Sequence, residues 1–309
     1  MTADALTAQK PPSIAERAPP HVFFLVSAVF HYLGPSFAVL LFAHIAPLGV
    51  AWLRIASAAL IFALWRRPWR LFAILSPHDR MIVLALGIVL AAMNSIFYEA
   101  IARLPLGTVG AIEFLGPIAI AAYGLRTRRN LFALTLAAAG VYALTDVRIV
   151  GEPLGFAFAF ANCALFALYI VLGHRIASGP GARSSVDRLG AAMAIAAIAA
   201  LPIGVGDALP AFASPPLLVA AIGVGVSSSV IPYICDQLAM RRLSRATFAL
   251  LLSLLPATAS IIGFLVLRQT PSVMEVIGIA LVVGGVALRQ AEREDVVANS
   301  EGTKHAGSL

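Results

Sequence analysis

A chain of 309 residues that is 60% hydrophobic and only 12% charged, with a mean hydropathy of +0.92, carries about half the charge usual in a soluble domain. Lipid is therefore its solvent. A net charge of +7 does not mark a nucleic-acid surface, because the basic residues fall in short segments between apolar runs, which is a pattern of membrane topology. Cys163 and Cys235, in separate runs, offer neither a disulfide framework nor metal-ligand spacing, and no metal or cofactor is expected.

In chain order, residues 1–20 are polar and contain prolines. They lack the apolar core and cleavage site of a signal peptide and read as a disordered cytoplasmic tail, as do residues 290–309. A span needs about 20 apolar residues. On that ruler ten transmembrane helices are predicted, over residues 21–44, 48–65, 81–102, 108–124, 131–145, 153–173, 188–205, 216–238, 246–267 and 274–289. The connections are short, so consecutive helices are antiparallel neighbours. With both termini cytoplasmic, eighteen Lys and Arg residues fall inside. Only Arg103, Arg148 and Arg268 fall outside, and Arg54 lies within a helix. Orientation follows from that asymmetry.

Ten spans with both ends inside divide into halves of five, residues 21–145 and 153–289. Five is odd, so the second half runs opposite to the first. One spacing, 139, relates Leu104 to Leu243 and Pro117 to Pro256. The third helix of each half carries an acid, Glu99 or Asp236. The fold class is thus an all-α membrane protein of two inverted five-helix repeats. That arrangement marks alternating-access carriers, with the site near the midplane between the halves.

The stretch Met93–Pro117 places polar groups deep in apolar runs, where each needs water, a partner or a ligand. Asn94 and Tyr98, four apart, share one helix face. With His31 and Tyr32 of the first helix, Asn162 of the sixth, Ser227 to Ser229 and Tyr233 of the eighth, they are candidates to line a wet substrate cavity. Interhelical hydrogen bonding is the alternative reading for each, and the favoured one for Asn162 and the serines. Glu113, Glu99 and Arg54 lie at similar depths from the outer surface. An ion pair of Arg54 with Glu99 or Glu113 is expected. One guanidinium cannot neutralise two carboxylates, which leaves one protonated, hydrated or free to take a substrate ammonium. Asp236 either gates the cytoplasmic end with Arg241 or Arg242, or is a solvated helix-end charge. Tyr169 reads as an interfacial aromatic, with a position in the cavity as the alternative, and Trp52, Trp65 and Phe114 as packing or anchors. Pro35, Pro117, Pro232 and Pro256 each interrupt a helical ladder and are the candidate hinges.

The Leu104-Pro105-Leu106-Gly107 turn, the Glu113-Phe114-Leu115-Gly116-Pro117 run and the Ile231-Pro232-Tyr233 segment resemble the EamA-type branch of the drug/metabolite transporter superfamily. The likeness covers about residues 21–289. It is greatest to bacterial exporters of threonine and homoserine, with aromatic amino-acid exporters as relatives. The resemblance implies a ten-helix carrier of the bacterial inner membrane that moves amino acids, or another metabolite or drug class, outward. Its partners would be a small amino-acid substrate and membrane lipids, with no nucleic acid and no obligatory protein. Many relatives carry a Leu-Gly-Glu where this chain has Leu265-Val266-Leu267, and a Glu where it has Leu255. These departures favour the substrate's own gradient over a proton gradient through Glu113 or Glu99. An intramembrane enzyme using paired carboxylates is the remote alternative; no His-Glu-x-x-His, Gly-x-Ser-x-Gly or Gly-x-Gly-Asp stretch supports it.

Overall fold

The computed structural model describes residues 19–116, 119, 127–146, 152–177, 184–240 and 255–288. Among them the regular structure is entirely helical: α1 Pro20–Leu41, α2 Pro47–Arg66, α3 Pro68–Ile74, α4 Pro77–Ile101, α5 Leu106–Glu113, α6 Arg128–Asp146, α7 Pro153–Ala177, α8 Ser184–Phe212, α9 Pro215–Gly225, α10 Ile231–Met240, α11 Leu255–Leu267 and α12 Val273–Leu288. Proline opens six of these helices. Its fixed φ suits the first turn, where its missing N–H is not needed. Ser76 adds a side-chain cap to α4, accepting from the Asp79 N–H at 3.1 Å. Ser272 and Glu275 cap α12 reciprocally: the Glu275 N–H donates to Ser272 Oγ at 3.2 Å and the Ser272 N–H to Glu275 Oε2 at 2.7 Å.

Six helices among the described residues are long and apolar enough to cross a membrane: Val22–Leu41, Pro47–Arg66, Pro77–Ile101, Pro153–Gly173, Val186–Phe212 and Pro215–Asp236. The last is α9 and α10 joined by a π-helical segment, Val226–Val230. At the other four expected spans stand α5, α6, α11 and α12. Large apolar side chains such as Leu60, Leu64, Ile88, Ile198, Leu209, Val219 and Leu265 point outward, which is the surface a bilayer requires.

Three expectations about the elements change. The short α3 is an addition, too brief to register as a span. The seventh span is longer than 188–205, because α8 runs on through Pro202 and Pro210; helices in lipid tolerate proline where neighbours re-satisfy the freed backbone groups. And α1 continues unbroken through Pro35, with the Ser36 hydroxyl donating to the Leu33 carbonyl at 2.7 Å. Pro35 removes one backbone bond without breaking the helix. Pro117 lies outside the described residues. Pro256 sits in the first turn of the described α11.

Helix packing is close and uses small residues, as it must where apolar burial gives no driving force. α2 packs along α8, α6 along α12, and α5 along α11; α4 packs on α7 and α8, while α1 lies against α10, α11 and the π segment. Within the first pair, Trp52 donates from Nε1 to the Ala197 carbonyl at 3.1 Å, and Arg66 meets Asp187 at 2.5 Å. Numbering rises on α2 as it falls on α8, so the two are antiparallel. In the second pair, a Cβ on Gly140 would stand 2.5 Å from the Gly278 carbonyl oxygen, and one on Gly285 would stand 2.6 Å from that of Ala133. That pair is antiparallel too. So is the third, where Gly110 faces Ala259 and Leu106 faces Gly263.

Candidate substrate site

The buried polar residues gather where α1, α2, α4, α5, α7 and the π segment converge. Pro232 explains one part of the cluster. In a regular helix the Ser228 carbonyl would accept from the N–H of residue 232, and proline has none. The chain answers with the π segment, whose next amide, Ile231 N–H, bonds back to Val226. Arg54 of α2 supplies the missing donor: Nη2 donates to the Ser228 carbonyl and Nε to Ser229 Oγ, each at 2.8 Å. Its guanidinium also lies over the Tyr98 ring, 5.4 Å from the centroid. Gly34 of α1 touches Ser228 so closely that a Cβ there would collide with its backbone.

Thus the expected ion pair of Arg54 with Glu99 or Glu113 is replaced. Arg54 is bound to the π segment. Glu99 pairs instead with Arg103, one helical turn away at the end of α4, and Arg103 also takes the Glu99 carbonyl at 2.7 Å and covers the Phe158 ring. Residues at equal depth on different helices can face different ways, and a partner at i+4 is always within reach. Glu99 therefore belongs to the helix end and not to the central cluster.

Glu113 belongs to the cluster. Its Oε1 accepts from Asn162 Nδ2 of α7 at 3.0 Å, the Tyr32 hydroxyl adjoins the carboxyl, and Arg54 acts on it through space. Asn94 donates to its own Leu90 carbonyl at 2.7 Å, and its amide meets the Tyr233 hydroxyl of α10. His31 is half-buried, edge-on to Tyr32 at 5.3 Å. Rings continue the wall: Phe114, Phe166, Tyr169 and Tyr233 follow one another at centroid spacings of 6.0, 5.9 and 6.2 Å. Tyr169 is therefore part of this wall, in the C-terminal half of α7.

The cluster is closed. Tyr32, Tyr98 and Asn162 are 0% exposed, Asn94 1% and Glu113 3%. Yet among the described residues the buried side-chain atoms lacking a hydrogen bond of good geometry are Tyr32 OH, Tyr98 OH, Glu113 Oε2, Asn162 Oδ1 and Arg188 Nε. Four of those five lie here. Two hydroxyls, two further acceptors and a nearby guanidinium can meet an ammonium and a carboxylate together.

Asp236 lies about one turn past Tyr233 on α10, near Tyr233 and Tyr169. It accepts from Ser27 Oγ of α1 at 2.5 Å, and the same hydroxyl approaches the Pro232 carbonyl at 3.3 Å. Arg241 and Arg242, its proposed gate partners, lie outside the described residues. Ser27 was not singled out from the sequence; a lone serine in an apolar helix carries no signal until its neighbour is known.

A lipid-facing apolar shell around a buried, mixed-charge polar cluster defines a multi-pass α-helical membrane protein with an internal site. The chain belongs to the EamA-like transporter family, whose sequence profile matches residues 153–289. The threonine/homoserine exporter RhtA of Salmonella typhimurium (strain LT2) is 33% identical over 260 residues, 81% of this chain and 84% of its own. The RhtA of Escherichia coli (strain K12) is 32% identical over 272 residues, 85% of this chain and 88% of its own. A solved crystal structure matches 87% of this chain and 96% of its own with a TM-score of 0.54 at 19% identity, a likeness of fold.

Proposed function

We propose that this chain is a secondary carrier of the bacterial inner membrane that exports threonine- or homoserine-like amino acids by alternating access. The observation that carries the reading is the cluster itself: Glu113 and Arg54 buried together, with four polar atoms that lack a well-formed hydrogen bond. The Glu113 Oε2 and Asn162 Oδ1 acceptors take the substrate ammonium. The Tyr32 and Tyr98 hydroxyls, backed by the charge of Arg54, take its carboxylate. Neutral groups on Asn94 and Tyr233 remain for a side-chain hydroxyl. Identity to exporters of these amino acids supports the same substrate class.

The two halves act as inverted repeats, with termini cytoplasmic. Support comes from the antiparallel pairing of α2 with α8, α5 with α11 and α6 with α12. Each pair would join equivalent helices of the two halves. The spacing of 139 also relates Asn94 to Tyr233, and these two side chains meet. Rocking of the halves about that shared centre would open the cluster to one face and then the other. Pro232 with the π segment, and Pro256, are the places where bending is least costly. The carrier needs no protein partner in this reading.

Counterflow in proteoliposomes tests it: labelled threonine should exchange against internal threonine or homoserine. A second reading, an aromatic substrate, draws on the file of rings from Phe114 to Tyr233, and stronger competition by phenylalanine would favour it. Exchange of neither class would refute amino-acid export.

A further inference from the structure

Away from the cluster, a cavity of about 290 Å³ opens between the α4–α5 turn and the α11–α12 connection. That is near the lower end for small-ligand sites. It lies at the end of the bundle bearing Arg103 and Arg268, which the distribution of basic residues assigns to the outer face. Its lining carries both charges and neutral hydrogen-bonding groups: Glu275, Arg268, Thr108, Ser260, Gln269 and Thr270.

The two charged residues are set differently. Glu275, 3% exposed, is fixed by the Ser272 N–H at 2.7 Å, with Thr108 Oγ1 at 3.5 Å from its other oxygen. It is a buried carboxylate at the cavity wall. Arg268 is exposed and stands just past the end of α11 with φ 58°, in the left-handed region where glycine is the usual residue. Arg268 lines the cavity. Gln269 holds the connection in place: its Oε1 accepts from the Leu106 N–H at 3.1 Å, and its own N–H donates to the Gly263 carbonyl at 3.2 Å. The Gln269 side chain thereby caps α5, the helix that carries Thr108 to this cavity and Glu113 to the cluster. Five residues of helix separate those two, about 7.5 Å of rise.

We propose that this cavity is a second binding site, for a small free zwitterion on the outer side, with the ammonium on Glu275 and the carboxylate on Arg268. An anion alone would meet the Glu275 charge, and a cation alone that of Arg268. The inference does not require the central cluster to carry amino acids, since its residues are distinct.

The test is equilibrium binding of labelled L-threonine to the full chain in phosphatidylglycerol nanodiscs, with lactate and 1-amino-2-propanol as single-charge competitors. Wild type should bind one threonine at this cavity, and a second where the central cluster also takes it. Arg268→Gly, which removes the cation and suits the backbone, should keep the thermal stability and lose one. Ser260→Trp, which fills the cavity, should also lose one, while Glu113→Gln should keep this site. Neither single-charge competitor should match threonine. Unchanged stoichiometry in both cavity variants, or equal displacement by the amine alone, would overturn the proposal. So would loss of the site in phosphatidylethanolamine discs, which would make a lipid headgroup the occupant. Failure of threonine counterflow with this binding intact would sink only the transport reading.

Discussion

Replacing Arg54 by Met tests the account of the π segment. The variant removes two hydrogen bonds, to Ser228 O and Ser229 Oγ, and the contact with the Tyr98 ring. Charged hydrogen bonds contribute about 1.5–3 kcal/mol each in soluble proteins, though interhelical bonds in membranes average about 0.6. Against that loss, a central charge in a membrane helix costs about 2.5–3.5 kcal/mol to insert, and Met relieves it. The net change is thus a small difference, expected at about 1–2 kcal/mol of destabilisation, and by itself decides little. The informative quantity is its coupling to Pro232. Pro232→Ala restores an N–H opposite the Ser228 carbonyl, so it should help the Arg54→Met protein more than wild type. The coupling should be about 1 kcal/mol, the net value of one hydrogen bond. Reversible unfolding of the four proteins in mixed micelles measures it. A cycle that closes within about 0.3 kcal/mol, the scatter of independent sites, would mean that Arg54 does not stand in for the missing amide.

Glu113→Gln keeps an acceptor for Asn162 but removes the negative charge; threonine counterflow should fall at least about tenfold, equivalent to about 1.4 kcal/mol, with unfolding little changed, and a wild-type rate would remove Glu113 from the site. Ser27→Ala takes away the donor to Asp236 and should destabilise by about 1–3 kcal/mol, the cost of stranding a partly buried group, whereas Ser27→Thr should be tolerated; thermal unfolding of both distinguishes a clasp from a bystander. Gly140→Ala should destabilise by about 1–3 kcal/mol through overpacking, because its Cβ meets backbone on α12. Gly206→Ala, inside α8 and facing open space, is the control and should be at least as stable as wild type. Arg66→Ala should change stability by less than about 1 kcal/mol, since the Arg66–Asp187 pair is part-exposed and screened; a larger loss in the same assay would mean that the pair and the Trp65 contact are shielded from solvent.

Hydropathy and proline placed most helices well because both act locally: the apolar run sets the length and proline marks the first turn. α3 escaped because seven residues make no span. Position along a helix was also readable: Asn94, Tyr98 and Glu113 stand in apolar runs of the sequence, and all three are buried. Azimuth was not. The choice between Arg103 and Arg54 as the partner of Glu99 depends on which way α4 faces, and the sequence contains no such angle. Arg54 and its acceptor are 174 residues apart. Pro232 announced that a carbonyl would be orphaned, yet nothing local names the donor. Asn162, read mainly as a structural amide, is placed against Glu113 only by the packing of α5 on α7.

The same geometry suggests why such a site would release what it binds. Arg54 is the cation of the cluster, but two of its nitrogens are already committed to the π segment, so in the proposed carrier it would act on a substrate carboxylate chiefly through space and through the tyrosine hydroxyls. Direct, forked pairing with a carboxylate would be tighter and would trap the substrate. Conversely, a closed cluster in which several polar atoms lack a well-formed hydrogen bond is costly, at up to about 1–3 kcal/mol for each group. In the proposed carrier, a substrate that satisfies them would lower the closed arrangement relative to ones open to either face. Binding energy is then spent on closure rather than on affinity. A carrier needs this balance if the loaded protein is to pass through the closed arrangement and not rest in it.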